Sequence, residues 1–454
     1  MPVTVKPRPA LIARPRGDRR RGRPFETRGE GRHRRLSACR WQAERVAGTR
    51  EKRQSLADCL DALEYAATGG LNRGGILVNS VRTSLHVGVD ARCLNVTHVR
   101  GMGNYITGIV SQLAGSCEVN WTFFSNRPDL PFYKPPGADD RPVYLFDCPG
   151  HRFQIWEQAA LPAQARYHGV DVLHCPFSSL PLWQPVPTVV TLHDTIEWDD
   201  DALPRSRYRD RVLPRAFARC AAVVTPSSHS RDDILRRWPG MSDKVFVVPH
   251  GIDHRFLDIA PGQLTPTLVA LGVREPYLVY CGGELVRKRL DWTIEIFDAI
   301  EDFEPLLIIC GVPQDRHADF KAKLRPETRK RVRLLPYIPT DSMARLFQNA
   351  AAVLYPTLYE GFGFPAIEAQ AVGTPVLFSP VSSLRELAGP GARLLDPDDR
   401  RGWIELCHQL VAQFREGRTP DVNARRWAER FSWEEAAQRH LRVYEAAARR
   451  RTRA

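Results

Sequence analysis

The 454 residues contain no apolar run of eighteen or more, so nothing in the chain reads as a membrane-crossing helix. The start, MPVTVKPRPALIARPRGDRRRGRP, has Arg and Pro where a secretory leader needs an apolar stretch. Cysteine is present ten times, yet no two stand at C-x-x-C spacing, which removes the common zinc and dithiol motifs. The thiols sit mostly in apolar runs and are expected to be buried in a reducing, cytoplasmic compartment. No metal-ligand set at a plausible spacing accompanies His193-Asp194, so no metal and no cofactor is expected. A full dinucleotide fingerprint is also missing: Gly101-Met102-Gly103 lacks the third glycine and the later acid.

The chain carries 65 Lys and Arg against 52 Asp and Glu, an excess that looks like a nucleic-acid signal until it is located. Residues 1–84 hold 19 basic against 8 acidic side chains, leaving 46 against 44 for 85–454. The basicity therefore belongs to an Arg/Pro-rich extension, expected to be disordered apart from a weakly helical patch near Gln54–Ala67. Nucleic acid is not the expected partner of a nearly neutral body. The Arg-rich ends suit peripheral contact with anionic lipid at the inner face of the cytoplasmic membrane, a solvated tail being the alternative.

From Leu85 onward short apolar runs alternate with amphipathic ones, the βαβ pattern of a parallel sheet covered on both faces. Strands are expected at Val119–Phe124, Val143–Phe146, Val172–Cys175, Thr188–Leu192, Ala221–Thr225 and Val245–Val248. A Pro/Gly-containing stretch, Asp253–Glu275, reads as a linker. A second series follows: Tyr277–Tyr280, Leu306–Cys310, Val332–Leu334, Ala352–Tyr355, Pro375–Phe378 and Arg393–Leu395. The expected organisation is an extension (1–84), a first Rossmann-like domain (85–255), a second (270–430) and a closing helix (431–454) that packs back toward the first domain. Ser432-Trp-Glu-Glu opens that helix in a capping-box manner.

Glu360-Gly-Phe-Gly-Phe-Pro-Ala-Ile-Glu368 is the most specific motif, two carboxylates around a Gly-rich turn at a strand-to-helix junction. Gly361 and Gly363 allow close backbone approach, and Pro365 suits a first helical position. The amides from Phe364 to Ile367, with Phe362 beside them, would form a helix N-terminus suited to phosphate oxygens. The carboxylates of Glu360 and Glu368 can accept hydrogen bonds from sugar or ribose hydroxyls. Gly282-Gly283-Glu-Leu-Val-Arg287-Lys288 also follows an apolar strand, and places a fork and a point charge where a diphosphate can be held. The Gly101–Gly103 turn ahead of a helix is an equal candidate for loose phosphate or acceptor contact and for plain structure. His193 stands at a strand carboxyl end, where α/β domains hold ligands; Asp194 beside it has only a possible part. Ser227, Ser228 and Ser230 read as helix caps.

Together VGVDARCL, RGMGNYITGIV, TVVTLHDTIEW, VTPSSHSRDDI, VFVVPHGID, VYCGGELVRK and YEGFGFPAIEA resemble retaining glycosyltransferases of family 4, with the GT-B fold, over nearly the whole body. The grouping is most similar to bacterial polysaccharide mannosyltransferases. The resemblance implies two Rossmann-like domains with a cleft between them. It implies a nucleotide-sugar donor, GDP-mannose favoured and a UDP-sugar next, and a glycan or lipid-linked glycan acceptor. By it, Arg287 and Lys288 hold the donor diphosphate, Glu360 the donor sugar and Glu368 the ribose. His193 lies near the donor sugar, while Gly101 and Gly103 face the diphosphate or acceptor. Three positions depart from the pattern: Arg289 and His250 stand where Asn is common, and Gly283 where other members carry Arg. They leave the acids and the cation pair in place and bear on donor choice. Two rival readings remain: a non-catalytic nucleotide-sugar or nucleic-acid binder driven by the tail, and another GT-B enzyme such as a sugar-nucleotide epimerase or a phosphorylase.

Overall fold

The computed structural model describes residues 84–99, 101–115, 118–127, 129–138, 142–144, 153–199, 206–300 and 305–451. The basic extension, including Gln54–Ala67, and Arg100 lie outside the described residues.

Val-, Ile- and Leu-rich runs, buried on both faces, pair as strands in two all-parallel sheets. The first comprises β1 (Leu85–Asp90), β2 (Val119–Ser125), β3 (Val143–Tyr144), β4 (Val172–Cys175), β5 (Thr188–Thr191), β6 (Ala222–Thr225) and β7 (Val245–Val247). Its order is β3-β2-β1-β4-β5-β6-β7. The second comprises β8 (Tyr277–Cys281), β9 (Leu306–Cys310), β10 (Val332–Leu335), β11 (Ala352–Tyr355), β12 (Val376–Phe378) and β13 (Ala392–Leu394), in the order β10-β9-β8-β11-β12-β13. Both are doubly wound α/β sheets, as the resemblance implied. In each the order reverses beside the first strand, so a crevice opens at the carboxyl ends of β1 and β4 and of β8 and β11.

The stretch 253–275 joins the two sheets, as expected of a linker, and holds two short helices besides. Asp253 and Thr265 cap two short helices, His254–Leu257 and Pro266–Ala270, by accepting from the amides of Arg255 and Leu268. Gly101 and Gly103 also differ from expectation: they lie inside helix α1 (Gly101–Leu113), not in a loop before it. A Cβ on Gly103 would meet Val99 Cγ1 at 2.6 Å and the Cys93 carbonyl oxygen at 2.8 Å, so packing under the helix explains this glycine. Pro365 is the second residue of its helix, Phe364 the first.

Two further helices shape the seam between the sheets. Helix α2 (Ser228–Arg237) is capped by Ser227, whose Oγ accepts from the Ser230 amide at 3.1 Å. Helix α4 (Trp433–Arg451) leaves the second half and packs on α1. A buried chain of hydrogen bonds holds it there. His440 Nδ1 donates to the Ala436 carbonyl at 2.7 Å, which makes Nε2 the acceptor for Tyr105 Oη at 2.7 Å. Thr191 Oγ1 then donates to Tyr105 Oη at 2.7 Å and accepts from His174 Nε2 at 2.8 Å, while Tyr444 Oη donates to His174 Nδ1 at 2.8 Å. One carbonyl thus orders the proton of every member, and no member is left unpaired.

Candidate active site

The loop after β8 carries Gly282 and Gly283, then a short turn, Val286–Lys288. Tyr280 Oη ties this loop down, donating to the Gly283 carbonyl at 2.7 Å. After β11, Tyr359-Glu360-Gly361-Phe362-Gly363 leads into helix α3 (Phe364–Ala371). Gly363 has φ +117°, a left-handed conformation that glycine alone adopts without strain, and a Cβ there would meet Leu384 Cδ2 at 2.5 Å. Ser383 Oγ donates to the carbonyls of Glu360 and Phe362 at 2.7 and 2.8 Å, and Ser382 Oγ accepts from the Glu360 amide at 2.9 Å. The acidic turn is thereby fixed from below.

Arg287 and Lys288 converge on the carboxylate of Glu360. Arg287 Nη1 lies 3.2 Å from Glu360 Oε1 and donates to the Tyr359 carbonyl at 2.6 Å. Lys288 Nζ pairs with the same oxygen and sits 5.3 Å from the centre of the Tyr355 ring. Burial alone would raise the Glu360 carboxyl, but the two cations outweigh it and hold the group below its usual value. Glu368 differs. It is half-buried in α3, pairs with no cation among the described residues, and burial, with Asp253 nearby, pushes its carboxyl up to about 8.

The first half supplies the opposite wall. His193 follows β5 and donates from Nε2 to the Pro176 carbonyl at 2.9 Å, leaving Nδ1 as the acceptor nitrogen. Burial depresses its pKa to about 4, so the ring is neutral at physiological pH. Asp194 is raised by burial, with Arg287, Glu360 and Lys288 all close enough to act on it. The two walls touch at Gly361. A Cβ there would overlap the His193 carbonyl oxygen and lie 3.1 Å from Asp194 Oδ2. Ser230 Oγ, in α2, bridges both walls, lying 3.0 Å from the His193 carbonyl and 3.4 Å from that of Gly361.

The seam is clasped further by residues that sequence reasoning did not single out. Glu386 accepts from the amides of Ser228 and His229 at 3.0 and 2.8 Å, and so caps α2 from the other half. Tyr359 Oη donates to Asp233 Oδ2 at 2.9 Å. Tyr359 lies inside the YEGFGFP motif, a signal that was there to be used; Glu386, Ser382 and Ser383 carry none.

The three departures have distinct surroundings. Arg289 takes a left-handed φ of 57° at the start of the helix Leu290–Asp298, a conformation Asn adopts more readily. Its guanidinium stacks 4.2 Å from Trp292 and pairs with Asp398 at 2.9 Å. His250 is buried between Tyr105, His193, Phe362, Phe364 and Trp433; its ring stacks on Phe364 at 5.4 Å, and Nδ1 has no hydrogen-bond partner among the described residues. Gly283 has φ +75°.

The structure therefore brings Arg287, Lys288, Glu360 and Gly361 together with His193 and Asp194. Gly282, Gly283, Phe362, Gly363, Phe364 and Glu368 lie along the loops and helix that frame them. Gly103 is packed against Val99 and the Cys93 carbonyl, whereas Gly101, at the start of α1, is exposed with open space around its Cα. Among the described residues, no group of three or more His, Cys, Asp or Glu is placed to hold a metal ion.

Residues 99–256 match the family model described as Glycosyltransferase Family 4, and residues 275–413 the one described as Glycosyl transferases group 1. The O-antigen chain mannosyltransferase B of Escherichia coli is 24% identical over 248 residues, covering 53% of this chain and 64% of that protein. The MMP alpha-(1->4)-mannosyltransferase of Mycolicibacterium hassiacum is 27% identical over 286 residues, covering 58% and 66%. The matches thus span slightly under two thirds of these relatives' own length. The D-inositol 3-phosphate glycosyltransferase of Xylanimonas cellulosilytica is 27% identical, with 59% and 68% covered. Among solved structures, sucrose-phosphate synthase from Thermosynechococcus elongatus superposes with a TM-score of 0.64 at 18% identity, over 80% of this chain and 98% of that one. Anabaena HepE in complex with UDP and glucose gives 0.61 at 17%, over 80% and 99%. At such identities the shared property is the two-domain fold.

Proposed function

We propose that the chain, whose two halves match the Glycosyltransferase Family 4 and Glycosyl transferases group 1 models, is a family 4 enzyme that transfers a hexosyl group, mannosyl favoured, from a nucleotide-sugar to a glycan or lipid-linked glycan acceptor. The observation that carries this reading is the convergence of Arg287 and Lys288 on buried Glu360, against the His193-Asp194 wall. In this reading the donor diphosphate lies over the two cations and the N-terminus of α3, Glu360 meets the donor sugar and Glu368 the ribose. Gly103 serves packing, and Gly101, at the exposed start of α1, faces the diphosphate or acceptor.

The acceptor hydroxyl attacks the anomeric carbon as the bond to the diphosphate oxygen breaks. Its proton passes to the departing diphosphate, on the same face, so configuration is retained and no enzymic base is consumed. Negative charge grows on the diphosphate where Arg287, Lys288 and the helix amides already stand, which is preorganised stabilisation that needs no metal. A neutral His193 offers a hydrogen-bond acceptor without adding charge against the oxocarbenium-like ring. The contact of Gly361 with His193 and Asp194 keeps water from the reactive donor.

The mannosyltransferases among the relatives support mannose and hence GDP-mannose; the UDP and glucose bound by HepE make a UDP-hexose the next choice. We place the enzyme in polysaccharide assembly in the cytoplasm, its Arg-rich ends touching anionic membrane; among the described residues no helix is long and apolar enough to cross a membrane. Thermal shift with UDP-, GDP-, ADP- and dTDP-sugars, chelator present, tests the reading. One donor should stabilise the protein strongly and be consumed with acceptor; no stabilisation by any nucleotide would overturn it.

A further inference from the structure

A second buried cluster lies at the switch point of the first sheet, outside the groups used above. At its centre is Glu157, fully buried, in a π-helical turn, Trp156–Ala160. Arg92 Nη2 lies 3.1 Å from Glu157 Oε2 and also pairs with Asp90, the last residue of β1. The guanidinium is flanked by the Trp156 ring at 4.8 Å and the Phe177 ring at 4.6 Å. Tyr208, from a second π-helical turn, Tyr208–Val212, donates to Glu157 Oε1. Single π-turns recur at functional sites, and here two of them meet on one carboxylate.

What the cluster grips is the loop that follows β4. Ser179 Oγ donates to Glu157 Oε2 at 2.6 Å. Gln158, the next residue of the π-turn, donates to the Leu180 carbonyl at 3.1 Å and accepts from the Leu182 amide at 2.8 Å. Within this loop Ser178 has φ +56°, a left-handed conformation that a non-glycine residue keeps only where its surroundings impose it. Its amide donates to the Thr191 carbonyl at 3.0 Å. The far end of the loop meets the candidate active site: the Pro176 carbonyl takes the Nε2 proton of His193, and Ser178 Oγ lies 3.4 Å from the His193 amide.

We propose that Arg92, Glu157 and Gln158 are positioning residues: they clamp the strained loop 176–182, and the loop fixes the orientation and tautomer of His193 at the sugar-transfer site. The cluster acts by keeping the Pro176 carbonyl where only the Nε2–H tautomer satisfies it, with Nδ1 left as acceptor. The inference rests on the assignment of His193 to the donor site.

The test uses full-length Ser179→Ala and Glu157→Gln, with Ser179→Thr as the conservative variant and His193→Ala alongside. Turnover is read with the donor found by thermal shift, and the His193 ring by long-range proton–nitrogen NMR, assigned by the signals lost in His193→Ala. Ser179→Ala should lower kcat roughly 10-fold with donor KM nearly unchanged, since sub-ångström misplacement of a reacting group costs rate rather than binding. The His193 signal should pass from one tautomer to a mixture, and Ser179→Thr should restore both. Glu157→Gln should do the same more strongly, and Ser179→Ala keeps the test valid if Glu157→Gln fails to fold. Normal kcat and a single tautomer in folded Ser179→Ala, with His193→Ala inactive, overturn the inference while leaving the site intact. Full activity in His193→Ala overturns the functional role of that histidine, and the clamp with it.

Discussion

Substituting Gly361 by alanine puts a methyl group where the backbones of the two walls of the site meet. The new Cβ overlaps the His193 carbonyl oxygen and comes within 3.1 Å of Asp194 Oδ2. The obstacle is backbone on one side and the Ser383-anchored turn on the other, so neither rotates away as a long side chain would. Ordinary contact returns only when the walls part by about 1 Å, and a misplacement of that size costs about 100-fold in rate. The groups proposed to hold the donor, Arg287, Lys288 and Glu360, all lie on one wall, so nucleotide affinity should change by no more than about threefold, well under 1 kcal/mol. Steady-state turnover with the identified donor and acceptor, together with calorimetric titration of the nucleoside diphosphate, separates the two effects. A Gly361→Ala protein with unaltered kcat would refute the claim that the walls must close there. So would a loss of nucleotide binding as large as the loss of rate.

Other consequences follow from the same geometry. Tyr359→Phe removes the hydrogen bond to Asp233 across the seam; at about 1 kcal/mol this should lower kcat/KM by roughly fivefold through the closed population. Its melting temperature should fall only slightly, because Asp233 keeps His229 at 3.1 Å and Arg236 at 2.5 Å. Glu368, raised from 4.5 to about 8, binds its proton more tightly folded than unfolded, so it takes away stability as pH rises through that window. Glu368→Gln, neutral throughout, should therefore gain melting temperature relative to the parent at pH 8 and little at pH 4; an equal gain at both would contradict the assignment.

The two sheets were readable because their central strands are short apolar runs buried on both faces, and β9 and β11 lie where the pattern put them. The Gly-rich acidic turn was readable because Gly363 and Pro365 each answer a local backbone requirement. Helix α1 was misread at its start: Gly103 resembles a ligand-loop glycine, and only the nearness of Val99 and Cys93 reveals a packing glycine. The linker is legible from its Pro and Gly, but the two short helices capped by Asp253 and Thr265 are not. The clasp of Glu386 on α2 and the Glu157 clamp join residues distant in the chain, so no local pattern announces them.

The central claim is that Lys288 and Arg287, set by Glu360, stabilise a departing diphosphate. Donor consumption by Lys288→Met in chelator, beside nucleotide binding and melting temperature, tests it most directly. Loss of one preorganised charge should cut turnover by about 100- to 1000-fold with the fold preserved. Parent-like turnover in a folded Lys288→Met protein would contradict the account.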